Sequence, residues 1–410
     1  MYRRASNVVV LWLAVLTLLG GCSTATGSST SKELLTDVWT AVNRSYVDSS
    51  FNGQDWWDVR QQYLAKPVKT KEQLYEEIQQ MLKTLDDPYT RFLDPRQYQA
   101  LETTTTGELS GVGLQISLDP KSELPTVIAP IEGSPAFSSG IKALDTITAI
   151  DSKPTKGLAI DDVAERMRGR VGTRVVLTIQ RDGRQFDVPL KRATIEINPV
   201  TSALRQEAGR RIGYIRLSQF NANATDQMSQ AIQKLEKQNA SGFILDLRNN
   251  PGGLLTAGVE IARLWLEPGQ TVVFTVDRDG RKDEARAKRA PLTTQPLVVL
   301  VDEGTASASE ILAGALKDNR RATLVGQKTF GKGLIQTIQR LDDGSGLAVS
   351  IAQYKTPSGQ DIHKKGIRPD VAVALPKDFK LERLATPEDP QYLAAVQTLN
   401  QVVVSGRQGE

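Results

Sequence analysis

Leu297-Val298-Val299-Leu300-Val301-Asp302-Glu303-Gly304-Thr305-Ala306-Ser307-Ala308-Ser309-Glu310-Ile311-Leu312 runs from an unbroken apolar stretch, through small and polar residues, into a helical pattern. Five apolar residues bounded by turn formers read as a strand buried on both faces. The same alternation surrounds it. Residues 211–217 and 243–247 read as strands, 225–237 and 254–266 as helices, 306–317 as a helix and 322–325 as a strand. Strands alternating with helices predict an α/β core over 194–375.

Upstream the patterning changes. Leu34, Leu35, Val38 and Val42, and then Leu74, Ile78, Met81, Leu82 and Leu85, recur at helical spacing, predicting a helical region over 32–100. Pro67 and Asp86-Asp87-Pro88 break it. Trp39, Trp56 and Trp57 are expected in its core. Residues 101–193 then carry short strand patterns, a short helix at 160–167 and a hairpin, 175–180 with 185–190, turning at Asp182-Gly183. Residues after 376 read as a tail with one helix, 391–403.

This middle region resembles a PDZ domain. The resemblance implies capture of an extended peptide as an added strand, with its terminal carboxylate on loop N–H groups. Gly111-Val112-Gly113-Leu114 would be that loop, and Leu114, Ile116, Val163 and Met167 would line the pocket for the last side chain. Each of the four also reads as a plain core residue. Leu144 stands before Asp145, where such domains usually carry Gly, so an altered turn is expected there.

Composition excludes several chemistries. Net charge is +4 on 51 basic and 47 acidic residues of a 410-residue chain, which does not point to nucleic acid. Cys22 and His363 are each the only residue of their kind. No disulfide, cysteine zinc site or HExxH motif is possible, and neither cofactor nor metal is expected. A Ser–His–Asp triad would have to use His363, which is expected to be structural or on the surface. Gly326-Gln327-Lys328-Thr329-Phe330-Gly331-Lys332 fits the start of a phosphate-binding loop, but Gly333 stands where Ser or Thr should hold Mg²⁺.

The amino terminus reads as an export address. Arg3 and Arg4 precede the apolar residues 8–19, shorter than the ~20 needed to span a bilayer. Leu19-Gly20-Gly21-Cys22 resembles a bacterial lipobox, implying residues 1–21 as signal, a lipidated Cys22 and a tether over 22–31. The expected location is the periplasmic face of a membrane, or a thylakoid lumen in a photosynthetic bacterium.

Ser307 falls at a helix amino terminus, where free N–H groups and the helix dipole favour an anion. Ser307 to Glu310 also reads as a capping box that merely starts the helix. A second segment, Phe330-Gly331-Lys332-Gly333, sets a lone lysine between glycines. A lysine acts as a base only when neutral, so burial would have to lower its pKa from ~10.4. If 332–338 is a strand, Lys332, Leu334 and Gln336 share a face.

Together, Gly304-Thr305-Ala306-Ser307-Ala308-Ser309-Glu310-Ile311-Leu312 and Phe330-Gly331-Lys332-Gly333 resemble the carboxy-terminal processing (tail-specific) serine peptidases over about residues 32–375. The resemblance implies a multi-domain α/β protein: helical amino-terminal region, PDZ module and peptidase core. It implies Ser307 as nucleophile, Lys332 as base 25 residues later and Gln336 as its partner. The Ala308 N–H and that of Gly253, or else of its neighbour Gly252, would form the oxyanion hole. It also offers roles for Asp318 and for Arg168, both of which read equally as helix-end charges. Expected partners are proteins with unstructured carboxyl tails and an adaptor or a second copy of the chain. The alternative is a non-catalytic PDZ scaffold that binds protein carboxyl termini.

Overall fold

The computed structural model describes residues 26–207, 209–376 and 378–407. Residues 1–25, with the expected signal and Cys22, lie outside them. At the centre is a six-stranded sheet in the order Val200–Glu207, Arg210–Leu217, Phe243–Asp246, Leu297–Val301, Thr323–Gly326, Val371–Ala372. The first pair is antiparallel and the remaining pairs are parallel. Every residue of Leu297–Val301 is buried, because helices cover both faces. Alternate residues divide between two cores. Phe243, Leu245 and Val299 pack under the helices Ala224–Lys237, Leu255–Arg263 and Ala308–Asp318. Ile244, Val298 and Leu300 face Tyr392, Ala395, Val396 and Leu399 of the carboxyl-terminal helix Pro390–Arg407.

The presumed tail is therefore part of the core. Its helix covers the middle of one face of the parallel sheet, where Ile244, Val298, Leu300 and Val325 would otherwise meet water. The helical amino-terminal region is also less separate than expected. Its strand Arg91–Leu93 pairs with Gly346–Lys355 in a second, five-stranded sheet. Leu34, Leu35, Val38, Val42, Ile78, Met81 and Leu82 share one core with Leu347 and Val349 of that sheet and with Leu341 in the turn before them. Trp39 and Trp56 are buried there, but Trp57 is 56% exposed, edging onto Trp39 with the Arg60 guanidinium over its ring, so the expectation of a third core tryptophan fails. Adjacent residues on a helix point about 100° apart, and Trp56 takes the inward direction.

Two expected boundaries shift. The first described helix is Thr26–Ser45, so it takes in residues 26–31, expected as tether. The helix Pro95–Thr106 crosses the expected boundary at 101; Asp94 caps it, with Pro95 in its first turn and Gly107 left-handed at its end. A two-stranded ribbon, Glu108–Gly111 with Ala193–Glu196, follows and joins the PDZ module to the rest. The module itself is a six-stranded sheet with the helix Ile160–Met167. Its hairpin pairs Arg181 with Arg184 across Asp182-Gly183, both at positive φ as a two-residue turn requires.

Candidate active site

The strand Leu297–Val301 ends at a tight turn, and Ser307 caps the following helix. Ser307 has φ +58 and ψ −118. A non-glycine residue with this backbone is strained and persists only where its surroundings impose it. Four contacts impose it here. Asn250 O accepts from Ala306 N–H at 3.0 Å and from the Ser309 hydroxyl at 2.9 Å. Glu310 Oε2 accepts from Ser307 N–H at 3.0 Å, so the capping reading of that glutamate is realised. The Tyr354 hydroxyl donates to Ser307 O at 3.1 Å.

The turn at 249–253 presses against this elbow. Gly252 has φ +97, and a Cβ there would lie 2.8 Å from Ser307 Cβ and 2.9 Å from Ala308 N. Only glycine fits so close an approach. The Gly252 N–H is already given to Asn250 Oδ1 at 2.9 Å. Among the described residues no acceptor faces the N–H of Gly253 or of Ala308, the first residue of its helix. That leaves Gly253 rather than Gly252 to join Ala308 as a free donor.

The turn is held from below by Arg248, which is completely buried. Its guanidinium contacts Asp246 at 2.6 Å, Asp389 at 2.8 Å and Gln391 Oε1 at 3.0 Å. Asp389 and Gln391 come from the segment expected to be a tail. Tyr214 also donates to Asp246, at 2.8 Å.

Lys332 follows Phe330-Gly331 in an irregular segment; the strand Leu334–Arg340 starts after it. A register shift between Ile335 and Gln336 breaks the alternation that would have put Lys332 and Gln336 on one face. The Gln336 amide instead donates to the Ser350 hydroxyl at 3.3 Å. The Lys332 amine lies 4.9 Å from the centre of the Tyr89 ring. Ser307 and Lys332 line one cleft of about 730 Å³, with no hydrogen bond between their side chains. Burial pushes the Lys332 amine below the ordinary lysine range; Arg91 adds to this, and Asp87 and Glu310 oppose it.

Glu310 joins the two segments. Its Oε1 accepts from the Thr329 hydroxyl at 2.5 Å and Gly331 N–H at 2.8 Å, and its Oε2 from Lys332 N–H at 2.9 Å as well as from Ser307. Burial raises its pKa, and those four donors pull the other way. As a helix-start residue it looked local; nothing in its sequence spacing reveals the contacts to residues 329–332. Tyr89, Arg248 and Tyr354 escaped notice likewise, since each reaches the site from a distant segment.

Other named residues fall elsewhere. Asp318 ends its helix and accepts from Ser358 N–H at 2.9 Å, outside the cleft. Arg168, just past the helix Ile160–Met167, pairs with that helix's Glu165 at 3.7 Å, and among the described residues it makes no bond to the core. His363 is nearer the site than a surface residue would be. A Cβ on Gly333 would lie 2.8 Å from its backbone N, its ring is 6.3 Å from Tyr89, and its Nδ1 is buried without a partner. Burial, then Lys364, holds its pKa down.

In the PDZ module Val163 and Met167 are buried with Val112, whereas Leu114 and Ile116 are half-buried at the margin. Gly111 ends one strand, and Gly113, at φ +79, turns the chain into Leu114–Leu118. That strand is at the sheet edge, unpaired on its outer side. Leu144 adopts φ +69 and is 84% exposed, so the turn keeps a glycine-like conformation with a leucine in it.

Residues 211–373 match the model of peptidase family S41, and residues 126–181 match a PDZ domain model. The chain is 49% identical over 392 residues to the carboxyl-terminal-processing protease of Synechocystis sp., covering 95% of this chain and 91% of that one. It is 47% identical over 401 residues to the protein of the same name from Picosynechococcus sp., covering 97% and 96%. Among solved structures it is similar to a photosystem II D1 C-terminal processing protease, with TM-score 0.56 and 40% identity over 90% of this chain and 96% of that one.

Proposed function

The chain belongs to peptidase family S41 and is a serine-type carboxyl-terminal-processing protease; on that premise we propose that Ser307 is its nucleophile and Lys332 its general base. The observation that carries this reading is the strained Ser307 beside two unengaged N–H groups, in one cleft with a half-buried lysine whose pKa is lowered. Neutral Lys332 takes the proton from the Ser307 hydroxyl as Oγ attacks the scissile carbonyl. The oxyanion of the tetrahedral intermediate accepts from Ala308 and Gly253 N–H, which are in place before charge develops. Protonated Lys332 gives its proton to the leaving amine as the C–N bond breaks. Lys332, neutral again, takes a proton from a water that attacks the acyl carbonyl; the bond from that carbon to Ser307 Oγ then breaks, the acid product leaves, and Lys332 returns the proton to Oγ. Gln336 would steady the lysine after leaving Ser350.

Substrates are proteins with unstructured carboxyl tails, first held by the PDZ module. The unpaired edge of Leu114–Leu118 is open to an added strand, which supports that mode. The loop at residues 111–114 would take the terminal carboxylate. Lipidation of Cys22 would hold the enzyme at a membrane after export; its support is the position of the single cysteine behind Leu19-Gly20-Gly21.

The test is cleavage of a peptide by the wild type and by Ser307→Ala, in carboxylate and amidated forms. Since the solved relative is named for D1 processing, a D1 carboxyl-terminal peptide is the first to try. The wild type should cut, the amidated peptide should be cut more slowly, and Ser307→Ala should not cut. A serine-directed acylating probe should label Ser307. No cleavage and no labelling would leave the chain a PDZ scaffold.

A further inference from the structure

We propose that Tyr89, carried by the helical amino-terminal region, is a positioning residue for Lys332 that holds its amine on the ring face while the cleft is empty. This rests on the reading of Lys332 as the base. The amine lies 4.9 Å from the ring centre, within range of an attraction between a cation and the negative face of an aromatic ring. No hydrogen bond takes that amine to Ser307, although both line the cleft.

The ring is held where it is. Asp87 accepts from Tyr89 N–H at 2.9 Å and from the Thr90 hydroxyl at 2.7 Å. The Thr90 oxygen in turn accepts from Ser350 N–H at 3.0 Å, and the Ser350 hydroxyl accepts from Gln336 at 3.3 Å. The loop therefore touches the lysine amine through Tyr89 and, through Thr90, the strand residue Ser350 whose hydroxyl accepts from the Gln336 amide. For reaction the amine must come within hydrogen-bond reach of the Ser307 hydroxyl, and Pro88 and Tyr89 of the loop, with Arg91 of the strand that follows, already form a wall of the cleft that substrate would fill.

The charged and titratable surroundings of the amine come from five segments. Asp87 lies on the loop itself, Arg91 at the start of the strand Arg91–Leu93, Glu310 on the helix after Ser307, Tyr354 on the strand Gly346–Lys355, and His363, next to Lys364, 6.3 Å from the Tyr89 ring. A ring face favours the ammonium over the neutral amine. Removing the ring while keeping an apolar wall therefore lowers the pKa of Lys332.

The experiment follows Lys332 by two independent readouts. In full-length protein carrying Ser307→Ala, acetic anhydride labelling of Lys332 against pH, read by mass spectrometry, titrates the amine without catalysis. In protein with Ser307 intact, the acid limb of kcat/KM reports it through turnover. Tyr89→Leu and Tyr89→Met should move both curves to lower pH by about 0.5–1.5 units. Tyr89→Phe keeps the ring face and should restore the wild-type curves. Two non-aromatic variants are used so that one that fails to fold does not decide the matter. An unchanged labelling curve in the folded Leu or Met variant, or a Phe curve that moves with them, overturns the proposal. A labelling curve that shifts without the acid limb keeps Tyr89 as the partner of Lys332 and removes the lysine as base.

Discussion

Glu310 Oε2 accepts the backbone N–H of Ser307 at 3.0 Å and that of Lys332 at 2.9 Å. One buried carboxylate oxygen thus fixes the chain at both residues of the proposed dyad, while Oε1 takes two more donors from residues 329–331. A glutamine has one acceptor oxygen, and its NH₂ would face two N–H groups. Glu310→Gln should therefore lower kcat by roughly 10²-fold, since hydrogen bonds to a charged group contribute about 1.5–3 kcal/mol each. KM should change little, because the residue lies behind the cleft. Steady-state kinetics on folded protein measure this; a wild-type kcat would refute it.

Ser307→Ala and Lys332→Ala should each lower kcat on the order of 10⁴-fold, and the double variant should lose little more, because the two act as one unit. Lys332→Arg should be as inactive as Lys332→Ala, since arginine stays charged. Near-normal turnover by Lys332→Arg would exclude a lysine base.

The lowered pKa of Lys332 also has a stability consequence. Between the folded pKa and the unfolded value of ~10.4 the unfolded chain binds more protons, so stability rises with pH through that window. Below the window the native state carries the half-buried cation in full. Lys332→Met should therefore raise Tm at neutral pH, with the gain shrinking as pH climbs through the window. The acid limb of kcat/KM should fall in the same range. Melting curves across pH check the first, and a gain that grows with pH would contradict it.

Arg248 is fully buried between Asp246 and Asp389. Arg248→Met leaves two buried carboxylates without their cation, which should destabilise by about 3–5 kcal/mol. Asp389→Asn removes one charge and should cost less. Urea unfolding orders the two. Truncation before Asp389 should also remove activity, since it uncovers one face of the parallel sheet and frees the turn at 249–253.

Leu144 occupies a left-handed turn position while 84% exposed. The conformation costs about 1–2 kcal/mol in a non-glycine residue, and glycine would lose about 0.5–1 kcal/mol more backbone entropy on folding. Leu144→Gly should therefore stabilise the PDZ module by a net ~0.5–1 kcal/mol, as thermal unfolding would show.

Periodicity and turn chemistry are local properties, and the sequence by itself was enough to determine what depends on them. The strand Leu297–Val301 and the helix Ile160–Met167 lie at their expected positions, the hairpin turns at Asp182-Gly183, and Leu34, Val38, Val42, Ile78 and Met81 are buried. The Ser307 and Lys332 segments were recognisable because short motifs bring their own turns and glycines. What only the tertiary structure decided is how distant segments meet. Glu310 reads as a cap until Thr329, Gly331 and Lys332 are seen to donate to it. Asp389 reads as part of a tail until Arg248 reaches it, and Tyr89 reads as loop until the Lys332 amine lies on its ring. The reason is physical: a fully buried charge needs partners wherever they lie in the chain, and sequence spacing records only neighbours along one helix or strand.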